Sequence, residues 1–252
     1  MPSVHKSPMF GKDQSFTLPL SSAELGWLAG VFGQTRLVLP KPISAIMGET
    51  LTQAQESLAG RRLIQREPGT GWKVDQLAAF LVQWLGTVEE FTRLEVHRRG
   101  KEPVQAGVYA RQGLILLAEC DAQAVTFVFL PDEAYLMAEI SRFLELGSVR
   151  RGRDTFAFPE PAELVQAAWQ DPVPTRRLLE RSDLSERDVS AALAWIDSLK
   201  MVVQFTHVST KVEKPYCLFS DGQSAWEFGP SGELAGVTMK GVAAQIQQIL
   251  YN

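Results

Sequence analysis

The segment SERDVSAALAWIDSLKMVVQFTHV, Ser185–Val208, decides how the chain is built. Ser185 followed three residues on by Asp188 is a helix-start pattern, because the hydroxyl can accept from one of the first unpaired helix amides. Val189, Leu193 and Ile196 then recur at helical spacing, with Leu199 or Lys200 closing the run. At Met201 the period changes, and Met201–Val208 reads as a strand rich in β-branched residues. A capped helix that runs straight into a strand is an α+β signature.

The same step occurs earlier in TLTQAQESLAGRRLIQ, Thr50–Gln65. There Thr50 and Gln53 form the capping pair, the helix passes through Leu58, and Leu63-Ile64-Gln65 turns extended. Around these two anchors the halves follow one order. Each begins extended (Phe16–Leu20; Thr155–Phe158), continues with an apolar helix, reaches the helix-to-strand step, adds strands and closes on a helix (Asp132–Leu146; Lys240–Tyr251). The second copy lacks a counterpart to the helix capped by Asp75, whose Leu77, Phe80, Leu81, Trp84 and Leu85 form a broad apolar stripe. From Glu90 the period is two, with Thr92, Leu94 and Val96 on one face and Arg93, Glu95 and His97 on the other. Val104–Ala110, Gly113–Glu119 and Ala124–Leu130 continue as strands. The last two lack polar alternation and read as central strands covered on both faces. Tyr216–Phe219 and Ala225–Phe228 form a hairpin around a Ser-Asp-Gly turn. The expected fold is α+β, with quasi-two-fold duplicated halves sharing a central, mainly antiparallel sheet flanked by helices. Its expected organisation is a tail over 1–15, a first half over 16–146, a linker over 147–153 and a second half over 154–252.

Length and charge agree with one compact molecule from such a duplication. The chain has 252 residues, 45% hydrophobic and 21% charged, with 25 basic against 29 acidic side chains and a net charge of −4. That balance gives no global basic footprint for nucleic acid. Two cysteines, Cys120 and Cys217, sit inside apolar stretches and read as buried thiols in a reducing compartment. The first residues lack the apolar core of a secretory signal, and no apolar run approaches the ~20 residues of a bilayer span. A cytoplasmic protein without membrane insertion is expected.

Catalytic patterns are sparse. His5, His97 and His207 are scattered, and none has a second His or Cys at ligand spacing, so no metal site and no cofactor are expected. There is no Gly-x-Ser-x-Gly elbow and no phosphate-binding glycine loop. No catalytic residue is assigned and the chain is not read as an enzyme. A helix followed by a β-ribbon, at Thr50–Val74 and again at Ser185–Val212, also outlines a winged-helix DNA-binding regulator. Its reading helices are the objection: Leu51–Gly60 carries no Lys or Arg, and Ser185–Asp197 is acidic, whereas DNA affinity comes largely from phosphate contacts. Basic clusters do occur at Arg93–Lys101 and Arg150–Arg153.

Several short motifs resemble the EspG family, the secretion-associated chaperones of the type VII secretion system. Leu20-Ser21-Ser22-Ala23-Glu24-Leu25 is similar to that family's Leu-Ser-x-x-Glu-Leu helix start, and Leu39-Pro40 follows it. Leu58-Ala59-Gly60-Arg61-Arg62-Leu63 resembles its Leu-Ala-x-Arg-Gly-Leu segment, with Arg62 in place of the glycine. Ser220-Asp221-Gly222 before Trp226 is a looser version of its closing hairpin. The resemblance spans about Phe16 to Tyr251, and that family has a quasi-two-fold α+β fold. It implies a cytosolic chaperone that holds a helical PE–PPE substrate heterodimer soluble for export, with no turnover, no nucleic acid and only weak self-association. The implied partner-binding residues are Arg98, Arg99 and Lys101 in a charged interstrand loop, with Tyr216, Phe219, Trp226 and Phe228 in the second half. For each of those aromatics, taken on its residues alone, core packing is the favoured reading over partner contact.

Overall fold

The computed structural model describes residues 16–41, 51–69, 71–111, 113–121, 123–144, 150–152, 161–180, 185–208, 216–228 and 234–251. The expected tail, the Thr50 cap, the Thr155–Phe158 strand and most of the 147–153 linker lie outside them. Chain order begins β1 (Phe16–Ser21), α1 (Ser22–Val31), α2 (Leu51–Gly60), β2 (Ile64–Glu67), β3 (Gly71–Val74), α3 (Gln76–Thr87) and β4 (Phe91–Arg98). It continues with β5 (Val104–Arg111), β6 (Leu114–Cys120), β7 (Ala124–Leu130), α4 (Glu133–Leu144) and β8 (Arg150–Arg151). Last come α5 (Pro161–Gln170), α6 (Pro172–Glu180), α7 (Glu186–Ser198), β9 (Met201–Val208), β10 (Tyr216–Ser220), β11 (Ser224–Phe228), β12 (Leu234–Gly236) and α8 (Met239–Tyr251). The class is α+β: β1 with β7, β7 with β6, β6 with β5, β9 with β10, β10 with β11, β11 with β12 and β2 with β3 pair antiparallel, and β8 pairs parallel with β11.

The chain folds as two compact units, one of residues 1–91 with 105–136, the other of 92–104 with 137–252. In the first unit the strand order is β1-β7-β6-β5. Leu116 and Leu117 are neighbours in β6 that point to opposite faces, and both are fully buried, so this strand is covered on both sides as its unbroken apolar run requires. Phe127, Val128 and Phe129 repeat the pattern in β7.

Where β1 enters α1, Ser21 and Glu24 close a capping box: the Glu24 N–H donates to Ser21 Oγ at 3.1 Å and the Ser21 N–H to Glu24 Oε2 at 2.8 Å. The Glu24 carboxylate is buried, and it also accepts from Ser57 Oγ at 2.9 Å and from Arg61 Nη1 at 3.0 Å. One side chain thus joins the end of β1, the start of α1 and the last turn of α2.

Both helices end alike. In α1 the Gln34 N–H reaches the Ala29 carbonyl and the Gly33 N–H the Gly30 carbonyl; in α2 Leu63 reaches Leu58 and Arg62 reaches Ala59. This double closure needs a left-handed residue just past the helix. Gly33 supplies it at φ +63°, and Arg62 supplies it at φ +61° despite its Cβ. The glycine position of the motif quoted above is therefore a left-handed backbone position here, occupied by arginine.

The second unit carries β4-β9-β10-β11-β12, with β8 also on β11. Thr92, Leu94 and Val96 of β4 are buried while Arg93, Glu95 and His97 are half-buried, as their alternation predicts. Helices α5, α6 and α7 cover one sheet face through Val165, Leu179, Val189, Ala192 and Ile196, packed with Val202, Cys217, Phe219 and Trp226.

The helix-to-strand step occurs in both units, α2 to β2 and α7 to β9, but the strands end differently. β9 lies inside the second unit's sheet, whereas β2 pairs with β3 alone in a two-stranded hairpin. Met201, Val202 and Val203 are consecutive and buried, which fits a covered strand; after buried Ile64, Gln65 and Arg66 are exposed, which fits a surface hairpin. Two further elements have no counterpart in the sequence expectation. One is α6, opened by Asp171-Pro172, where Asp171 Oδ1 accepts the Val173 N–H at 3.0 Å. The other is β8, which pairs Arg150 with Ser224 and Arg151 with Ala225 inside the stretch expected to be linker.

Two substitutions test this reading of the first unit. Arg62→Gly should stabilise the fold by about 0.5–1 kcal/mol, the left-handed strain relieved less the entropy glycine adds to the unfolded chain, read as a higher urea midpoint. Glu24→Ala should cost about 3 kcal/mol, a lost cap plus charge-assisted hydrogen bonds, by the same measurement.

Candidate partner-binding surface

The charged loop that follows β4 is held from within the second unit. Arg98 is half-buried, and its Nη2 donates to the Phe143 carbonyl at 3.0 Å, in the last turn of α4. The Arg99 N–H donates to the Lys200 carbonyl at 3.1 Å. Its Nη1 donates to the Asp197 carbonyl at 2.9 Å, and Nη2 lies 3.6 Å from the Asp197 carboxylate. Two helices thus end on guanidinium groups, which satisfy carbonyls left open by the helix ladder and oppose the negative end of each helix dipole. Lys101 is exposed, and its N–H closes the loop on the Arg98 carbonyl at 3.0 Å. Of the three basic residues the sequence singled out, Lys101 is the one whose charge is presented outward without such an internal task.

The aromatics divide by strand alternation. Phe219 faces Trp226 across β10 and β11, and Cys217 faces Phe228. These lie on the side covered by α7: Trp195 packs 5.4 Å from Phe219 and, edge-on at 82°, 5.9 Å from Trp226. Tyr216 is on the other side, 5.7 Å from Phe205, and its hydroxyl donates to Glu227 Oε2 at 2.9 Å. Burial, and then the charge of Glu227, hold that phenol well above its ordinary pKa. Phe219 is fully buried, Tyr216 and Trp226 nearly so, and Phe228 is half-buried. They underlie this surface rather than stand on it, with only Phe228 reaching partly to solvent.

The helix that a DNA-binding reading needs is unsuited to it. Ala54 and Leu58 are the buried residues of α2, its exposed positions include Gln53 and Glu56, and the arginine just beyond, Arg61, is engaged by Glu24. Among the described residues no group of three or more His, Cys, Asp or Glu gathers as a metal site. No helix among them is long and apolar enough to cross a membrane.

No protein-family model matches this chain, and no curated protein does. A solved structure does. The chain is similar to the Mycobacterium tuberculosis type VII secretion system chaperone EspG5, determined in complex with the PE25–PPE41 dimer, with a TM-score of 0.61 over 93% of this chain and 96% of that one, at 12% identity. The fold is EspG-like. Against the EspG-like fold the short motifs take definite places: Leu20–Leu25 spans the β1–α1 capping box, and Leu58–Leu63 the closure of α2. Leu39-Pro40 is buried, next to Val38, whose carbonyl accepts from the Tyr109 hydroxyl at 2.9 Å.

The two thiols report on how closed this structure is. Burial foremost pushes Cys120 up to about 11 and Cys217 up to about 12, the charge of Glu163 adding to the second. At pH 8 the thiolate fractions are then about 10⁻³ and 10⁻⁴, so both should resist alkylation in native buffer and react once the chain is unfolded. Rapid native labelling of Cys217, counted by intact mass, would show instead that β10 opens and its aromatics become accessible.

Proposed function

We propose that this protein is a cytosolic, type VII secretion-associated chaperone that binds a helical export substrate pair of the PE–PPE type and keeps it soluble. The observation that carries the reading is the EspG-like fold over 93% of the chain, since the similar structure is a chaperone determined with such a dimer bound. The work is done by contact alone: an apolar substrate surface is covered until delivery, and no bond is made or broken. Lys101 and Phe228 are the proposed contact residues. Arg98 and Arg99 shape the loop beneath Lys101, while Tyr216, Phe219 and Trp226 hold the hairpin that carries Phe228.

The test is capture of the tagged chain from its host lysate at high salt, followed by mass spectrometry. A stoichiometric, predominantly helical protein pair should remain bound, because apolar contacts survive screening. Recovery of the protein alone, or of DNA that washes off with salt, would overturn the reading. With the pair in hand, Lys101→Glu should slow association roughly three- to tenfold, and Phe228→Ala should chiefly speed dissociation, both read by biolayer interferometry.

A further inference from the structure

Helix α1 has an apolar face that the described residues leave bare. Of its ten residues only Ser22 and Glu24 are polar, and Glu24 is buried, so no polar side chain lies beyond the first turn. A helix apolar all round belongs in an interior. Leu25, Leu28 and Ala29 are indeed buried, but Trp27 is half-buried, Gly30 is exposed and Val31 is 42% exposed. These last three fall at i, i+3 and i+4, on one side of the helix. A Cβ placed on Gly30 would meet nothing within 4 Å, so the space beside Val31 is open.

The β2–β3 hairpin extends this face. Trp72 meets Trp27 edge-on, 5.8 Å away at 83°, and its register partner across the hairpin is Arg66. Directly opposed residues share a face, so the arginine and the indole are neighbours. Ile64 is buried further along that face, whereas Arg66 is exposed. Trp72, Trp27 and Val31 thus form a row with a cation at one end. Among the described residues no carboxylate pairs with Arg66, nor with Arg62 four residues before it. Arg62 is also the residue held left-handed at φ +61°, where glycine would sit without strain. Strain kept at an exposed, unpaired side chain points to a task outside its own fold.

We propose that this surface docks an amphipathic helix of a partner protein, apolar at i, i+4 and i+7 and acidic at one end. The row is about 11 Å long, one ring contact plus one helical turn, and an α-helix rises about 10.5 Å from i to i+7. Carboxylates at the end of that helix would meet Arg66 and Arg62. A partner without them would desolvate Arg66 and leave it unpaired. Tryptophan and arginine are the residue types that most often dominate such interfaces. The surface lies wholly in the first unit, and the proposal does not rest on the chaperone reading.

The test uses the full chain labelled with ¹⁵N-tryptophan, whose six indole N–H signals are followed by NMR. The probe is the capped peptide Glu-Glu-Ala-Leu-Ala-Gln-Ala-Leu-Gln-Ala-Leu-Ala, stapled on the face opposite its leucines. It should move the Trp27 and Trp72 signals saturably and leave those of Trp195 and Trp226 in place. Val31→Asp, which sets a charge against the leucines, should weaken binding at least about tenfold. Arg66→Gln should weaken it about three- to fivefold, and Arg62→Gly about twofold although that variant is the more stable protein. Three outcomes would overturn the proposal: no saturable shift, an equal shift with Gln-Gln in place of Glu-Glu, or unchanged affinity in any of the variants. Movement of the same two signals with protein concentration alone would assign the face to a second copy, and an equal effect of a deoxythymidine oligonucleotide would assign it to nucleic acid. Either would overturn the helix. None of these results bears on capture of a helical pair, which tests the chaperone reading separately.

Discussion

The buried carboxylate of Glu24 is the contact on which the first unit depends. A charge taken out of water is tolerated only when its oxygens are fully engaged. Here one oxygen accepts from Ser57 and the other from the Ser21 amide, and Arg61 Nη1 lies 3.0 Å from each. Those donors come from the strand end, from α2 and from just past α2, so meeting the charge's needs also fixes three pieces of backbone. Arg61 extends the effect, because its Nη2 donates to the Pro19 carbonyl. β1 is the terminal strand of its sheet, and a proline within it together with an arginine on that proline's carbonyl leaves little for another chain to pair with.

Much of this fold is legible in the residues because its signals are local. Ser21, Asp75 and Ser185 are N-caps where their hydrogen-bonding side chains precede apolar periodic runs. Doubly covered β6 and β7 follow from apolar runs without alternation, and half-covered β4 from strict alternation. The equivalence of β2 and β9 fails for a reason also visible in the residues. One buried position followed by Gln65 and Arg66 cannot hold a place inside a sheet, whereas Met201-Val202-Val203 can. Helix α6 is hidden by its own prolines, which read as breakers unless Asp171 is recognised as the cap that makes Pro172 a first-turn residue.

The candidate surface is less legible, because its determinants are not local. A run of arginines in a loop looks like a solvated patch; that Arg98 and Arg99 terminate α4 and α7 depends on backbone carbonyls, which leave no mark in residue identity. Alternation along β10 and β11 tells which aromatics share a face. Whether that face is covered depends on α7, which lies some twenty residues or more before the hairpin in the chain. The strand β8 is harder still, since two residues are too few for any periodicity to reveal.

That short strand places an unusual condition on how the sequence can drift. β8 and β12 share one edge of β11, the first on Ser224 and Ala225 and the second on Trp226 through Phe228, and their backbones meet at Gly152 and Gly236. A Cβ on Gly236 would fall 1.9 Å from the Gly152 carbonyl oxygen, and one on Gly152 would fall 2.1 Å from the Trp226 indole nitrogen. Neither position can accept alanine alone without displacing β8. Mutational paths through this corner are therefore epistatic: descendants of this chain keep both glycines and the indole together, or lose the strand that presents Arg150 and Arg151.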